Sequence, residues 1–242
     1  FGSYPKYQLN GLKIETPIQH LDVYMIALSD DTYQKEIYNR SMVTIVEKYS
    51  RLTQDELEQG VGYQVLNIPI QILNMTYPSL EDPVQIKSTF GKEGLKQTMD
   101  FEEGELGKHN FSYKHAIVDE FGEIFSPEHI GDYSLKIKAI TDSIMQSTGI
   151  VVVYSQYIDA GVIPITLALE SLGFTRYSND GNTSLFKEPP VPPIDALTFK
   201  PAEKGKTFHP AQYALITGDK GLSRDNIQEI KALTRDNNKD GS

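Results

Sequence analysis

Between residues 149 and 174 the chain alternates abruptly between apolar and polar positions. Ile150, Val151, Val152 and Val153 form an unbroken apolar run that ends in Tyr154-Ser155-Gln156, a pattern that predicts a parallel strand buried on both faces. Val162, Ile165, Leu169 and Leu172 then recur at three- and four-residue steps, so a helix with one apolar stripe follows, and Gly173 supplies the residue able to stop it. Upstream, Ile137, Ile140 and Ile144 predict a helix running into this strand. Downstream, residues 174–177 predict a short edge strand, and residues 213–216 another strand closed by Thr217-Gly218-Asp219. Ser223 is the expected N-cap of a last helix, with Asp225 in its first turn and Ile227, Ile230 and Leu233 on its buried side. Helices alternating with such strands imply an α/β fold with a mostly parallel sheet and flanking helices, because parallel neighbours need crossovers.

The preceding stretch carries a different pattern. Residues 1–20 are turn-rich and read as a connector. Tyr33, Ile37, Tyr38, Met42, Ile45 and Val46 follow a helical repeat, with Ser29, Asp30 and Asp31 as cap candidates, and residues 53–59 predict a short acidic helix. Residues 66–75 are apolar but contain Pro69, which predicts at most an edge strand. Charges, glycines and prolines dominate residues 78–110, where loops and short helices are expected. The chain therefore divides into an irregular, partly helical N-terminal accessory region, 1–110, and an α/β unit, 111–242. Residues 178–209, rich in Pro, Gly and Lys, are expected to form an exposed insertion in that unit.

Composition narrows the chemistry. Of 242 residues 39% are hydrophobic, enough for a core, and no apolar run approaches the roughly 18 residues that cross a bilayer. Neither a leader peptide nor membrane attachment is expected. With no cysteine, thiolate metal sites and disulfides are impossible. A formal charge of -10 argues against gripping nucleic acid by bulk electrostatics, yet backbone N–H groups and hydroxyls can hold a phosphate locally. Lys204-Gly205-Lys206-Thr207 imitates the end of a phosphate-binding loop, but Lys200 stands where its first glycine belongs and Pro201 precedes it. Val118-Asp119-Glu120 imitates a magnesium-holding acidic pair without the phosphate loop that such a pair serves, and reads as a helix start or loop. Residues 236–241 match the first half of a calcium loop. The five histidines show no paired metal-ligand spacing, and no catalytic triad or metal site is expected. Ser155, Gln156, Thr217 and Gly218 sit where strands give way to helices, which suits both anion contacts at a sheet edge and ordinary turn chemistry.

Three stretches together resemble a known family. Tyr133-Ser134-Leu135-Lys136-Ile137, the strand and helix from Gly149 through Gly161 to Phe174, and Tyr213-Ala-Leu-Ile-Thr-Gly-Asp219 with Arg224 are similar to the second RecA-like motor domain of superfamily 2 helicases. The likeness is to the helicases and transcription-associated ATPases of large cytoplasmic DNA viruses, and it covers residues 111–242. It implies an incomplete RecA-like domain of an ATP-dependent helicase or nucleic-acid translocase, in which Ser155, Gln156, Thr217, Gly218 and Arg224 contact nucleic acid and Ser134, Lys136 and Asp219 support the motifs. It also implies ATP and Mg as cofactors of the full-length protein, DNA or RNA and the first RecA-like domain as partners, viral transcription machinery as a further partner, and a place in the host cytoplasm or virion. Nothing here resembles the ATP-binding loop or the arginine-finger motif, so the chain alone is not expected to hydrolyse ATP. The competing expectation is a non-catalytic α/β interaction module that binds calcium at 236–241.

Overall fold

A computed structural model describes residues 22–50, 62–102, 110–147, 149–177, 184–219, 221–223, 227 and 230–231. Helix α1, Tyr33–Tyr49, opens one residue after the expected caps: the Thr32 hydroxyl accepts from Lys35 N–H at 3.3 Å, while Asp30 pairs with Lys35 Nζ at 3.0 Å. Ile37 and Gln34 turn inward. The Gln34 amide donates to Ile72 O at 2.8 Å and accepts from Leu135 N–H at 3.2 Å, so one buried side chain satisfies the end of one helix and the start of another.

Helix α2, Gly62–Asn74, corrects the edge strand expected around Pro69. Proline removes a donor from helix and sheet alike, and its position cannot choose between them; packing of Pro69 and Ile72 in the interior decides for the helix. The chain continues through a 3₁₀ turn, Ile86–Ser88, into α3, Gly91–Thr98, and β1, Met99–Asp100. β1 pairs antiparallel with β2, Ser112–Tyr113, which leads to α4, His115–Phe121, and α5, Ile130–Tyr133. Val118, Asp119 and Glu120 lie on α4, a helical surface rather than a strand end.

Helix α6, Leu135–Gln146, buries Ile137 and Ile144 as its periodicity requires. A π-type turn, Ile158–Val162, runs into α7, Ile163–Ser171, which Gly173 ends at φ 95°, with Phe174 N–H donating to Leu169 O at 3.1 Å. A Cβ at Gly173 would stand 2.7 Å from Pro192 O, so backbone conformation and close approach both demand glycine there. Strand β3, Thr175–Arg176, pairs in parallel with β4, Gln212–Tyr213. Among the described residues this pair is the parallel sheet.

Residues 150–153 do not join it. They belong to no strand, are 75, 45, 87 and 41% exposed in turn, and make no backbone hydrogen bond to the described residues. This corrects the strand buried on both faces. An apolar run makes burial favourable, but a strand also needs neighbours for its N–H and C=O groups, and no described strand lies beside it.

A single core crosses residue 110. Met75, Tyr77, Leu95 and Met99 from the first half pack with Phe111, Ile137, Leu167, Leu185 and Tyr213 from the second. Phe111 N–H donates to Leu185 O at 2.8 Å, and its carbonyl accepts from Lys187 N–H at 2.9 Å. Tyr77 is fully buried and donates to Asp159 O at 2.5 Å; burial pushes its phenol well above the ordinary range.

The stretch expected as an exposed insertion is pinned to this core twice. Leu185 and Phe186 are buried where their N–H groups donate to Glu170, and Ile194 and Asp195 are buried further on. The Asp195 carboxylate accepts from the N–H groups of His209, Thr198 and Leu197, His209 at 2.8 Å, and these bonds lower its carboxyl to about 2. Residues 187–193, between the pins, and 200–207, beyond the second, do lie exposed. Average polarity reports that exposure; it does not reveal two anchor points. Residues 1–20, the acidic helix at 53–59 and the calcium-like stretch 236–241 lie outside the described residues, as do parts of the insertion and of the last helix, but Ile227 and Ile230, expected on that helix's buried side, are exposed, because no described segment packs over them.

Candidate functional site

Ser134 and Lys136 hook the start of α6 onto the end of α2. Ser134 is fully buried; its hydroxyl accepts from Ile137 N–H at 3.0 Å, capping α6, and donates to Asn74 O at 2.6 Å, satisfying the carbonyl at the end of α2. Two residues on, the Lys136 ammonium donates to Asn74 Oδ1 at 2.6 Å. No described carboxylate pairs with it, and partial burial lowers its pKa. Ser134 thus serves as an N-cap, and Lys136 is left as a cation on a neutral partner.

The tip after residues 150–153 is a small hydroxyl-closed turn. Ser155 Oγ accepts from Tyr157 N–H at 3.2 Å and donates to Tyr157 O at 3.1 Å. Tyr157 reaches across to α2, its hydroxyl donating to Asn67 Oδ1 at 3.1 Å. A Cβ at Gly161 would fall 2.1 Å from Ser155 Oγ, so the glycine is what lets the hydroxyl sit against the π-type turn. The sequence contained this glycine, but its role follows only from the turn folding back on Ser155.

Thr217 repeats the turn. Its hydroxyl accepts from Asp219 N–H at 3.2 Å and donates to Asp219 O at 3.1 Å, and the Asp219 carboxylate accepts from Gly221 N–H at 2.7 Å. Both hydroxyls therefore already close local turns, the ordinary chemistry expected of Ser and Thr at such positions. Gly218 and Asp219 are exposed beside Thr217. Arg224 lies outside the described residues.

Lys136, Ser155 and Gln156 line one open cleft of about 340 Å³ between α2, α6 and the tip. Its floor is apolar, formed by Ile70, Ile137, Ile140 and Ile165; Asn74, Tyr154 and Tyr157 complete the rim. Thr217, Gly218 and Asp219 are not part of this lining. The cleft can accept a partly apolar group on its floor and an anion at its rim. Tyr154 stood in the Tyr154-Ser155-Gln156 tip that the sequence offered as a row of donors, whereas Tyr157 and Asn74 were not nominated from sequence.

Among the described residues the other candidate chemistries find no site. Lys204-Gly205-Lys206-Thr207 forms an exposed turn in which Lys206 pairs with Glu203 at 2.6 Å. Among the described residues no three His, Asp or Glu side chains cluster to hold a metal ion, and no helix is long and apolar enough to cross a membrane. Compared with protein-family models, curated proteins and solved structures, the chain matches none.

Proposed function

We propose that the chain is part of the second RecA-like domain of an ATP-dependent helicase or nucleic-acid translocase, of viral type and linked to transcription or genome handling. The observation that carries this reading is the convergence of Lys136, Ser155 and Gln156, drawn from separate stretches of the family resemblance, on one cleft. The parallel pairing of β3 with β4 is compatible with it. In the full protein, ATP and Mg held with the first RecA-like domain would drive closure and shift the grip on a DNA or RNA strand. Ser155, Gln156, Thr217 and Gly218 supply the phosphate contacts in this reading, with Arg224 in the following helix. The host cytoplasm or the virion would be its place of work, beside the viral transcription machinery.

Because the Ser155 and Thr217 hydroxyls already donate to carbonyls of their own turns, each must redirect its proton to meet a phosphate. A Ser155→Ala, Thr217→Ala double change is expected to weaken single-strand affinity about tenfold at matched salt. Filter binding measures it; unaltered affinity would remove both hydroxyls from the contact set.

A second reading, a non-catalytic interaction module responsive to calcium, is favoured by one observation: the exposed apolar stretch at residues 150–154. Titration calorimetry with Ca²⁺ separates the two. Saturable heat abolished by Asp236→Ala supports the module, and absence of heat leaves the motor reading in place.

A further inference from the structure

Lys136 lies exposed on the cleft, and among the described residues its ammonium meets the Asn74 amide oxygen at 2.6 Å and no carboxylate. In a chain with 33 acidic against 23 basic residues, a lysine on a neutral partner keeps its charge available to an anion at the cleft mouth. Gln156, on the same cleft, makes no hydrogen bond among the described residues and offers two amide donors. Ser155 is the poorer donor, since its proton is engaged with Tyr157 O.

The neighbouring ring supplies the second requirement. Tyr154 is 88% exposed, lines the cleft and has no ring partner or hydrogen bond among the described residues. An exposed tyrosine beside an anion site is a platform on which a base can stack. Ile70, Ile140 and Ile165 line the same cleft.

We infer that this cleft binds one nucleotide unit of a single strand, its phosphate held by Lys136 Nζ and the Gln156 amide and its base stacked on Tyr154. The inference rests on the function proposed above and adds to it the two residues that supply charge and stacking. A mononucleotide shares this chemistry, and the test separates the two sources.

The full chain is titrated against fluorescein-labelled oligo(dT) of about 12 nucleotides, over a range of salt, with circular dichroism confirming the fold of each variant. Tyr154→Ala is expected to weaken binding about tenfold, while Tyr154→Phe, which keeps the ring, binds as the parent does. Lys136→Gln is expected to reduce the salt slope by about one, and Lys136→Arg to restore it. Parent-like affinity and slope in both Tyr154→Ala and Lys136→Gln would overturn this assignment while leaving the proposed function standing. Absence of binding by the parent protein would overturn both. Displacement of the oligonucleotide by AMP at concentrations near the oligonucleotide's own would assign the cleft to a free nucleotide and overturn the strand.

Discussion

Glu170→Ala is expected to destabilise the protein by roughly 3–5 kcal/mol, the largest effect of any single polar substitution considered. Glu170 is 2% exposed at the end of α7 and accepts four hydrogen bonds: Leu185 N–H at 2.6 Å and the Tyr213 hydroxyl at 2.5 Å on Oε1, Phe186 N–H at 2.9 Å and the Ser184 hydroxyl at 2.6 Å on Oε2. It thereby joins α7, the returning segment at 184–186 and β4. Alanine orphans two backbone donors in the interior, and each carries its own desolvation cost of about 1–3 kcal/mol. Glu170→Gln discriminates the cause. The hydroxyls of Ser184 and Tyr213 can turn to accept from the new NH₂, but a backbone N–H cannot, so about 1–3 kcal/mol is lost instead. Urea unfolding reads both variants. A Glu170→Ala protein within 1 kcal/mol of its parent, an interval set by ordinary surface substitutions, would show that water reaches those donors.

Phe111→Ala is expected to cost about 3–5 kcal/mol, as truncation of a fully buried phenylalanine generally does. Its ring lies 4.9 Å from that of Phe101, centroid to centroid, and its backbone bridges to Leu185 and Lys187. The position is diagnostic because it stands where the sequence suggested a boundary between an accessory region and an α/β unit. With Met75, Tyr77, Leu95 and Met99 in the same core as Leu167 and Tyr213, the variant should unfold at lower urea in one transition, seen alike by tyrosine fluorescence and circular dichroism. The chain has no tryptophan, so tyrosine reports from both sides of residue 110. Two separated transitions, one at the parent midpoint, would restore the boundary at 110.

Legibility differed element by element. Helix α6 could be read because Ile137 and Ile144 follow the helical repeat, and the Gly173 stop because few other residues take its φ. Helix α7 lies where a helix was expected, but it is buried almost all round, and of the expected stripe Val162, Ile165, Leu169 and Leu172 only Leu169 is buried. The resemblance marked Ser134 as motif support; its cap on α6 and its bond to Asn74 O, at the end of a helix 60 residues earlier in the chain, appear only in the fold. Helix α2 was hidden by Pro69, whose missing donor weighs against either periodic structure. The cleft was half legible: Lys136, Ser155 and Gln156 were nominated, but Asn74, Tyr157 and the clearance at Gly161 exist only once α2, α6 and the tip meet.

By itself the sequence determined a helix through Ile137 and Ile144 and a helix stopped by Gly173, that no thiol chemistry is possible, and that bulk electrostatics oppose nucleic acid. Those properties follow from local periodicity, residue type and charge, which are present in every short window of chain. Tertiary structure alone decided that residues 150–153 lie open to solvent, that Glu170 is an interior anchor and that Lys136 is left facing an amide. Each of these depends on which distant segment fills the space beside a side chain or backbone group, and that is a property of the packed chain as a whole.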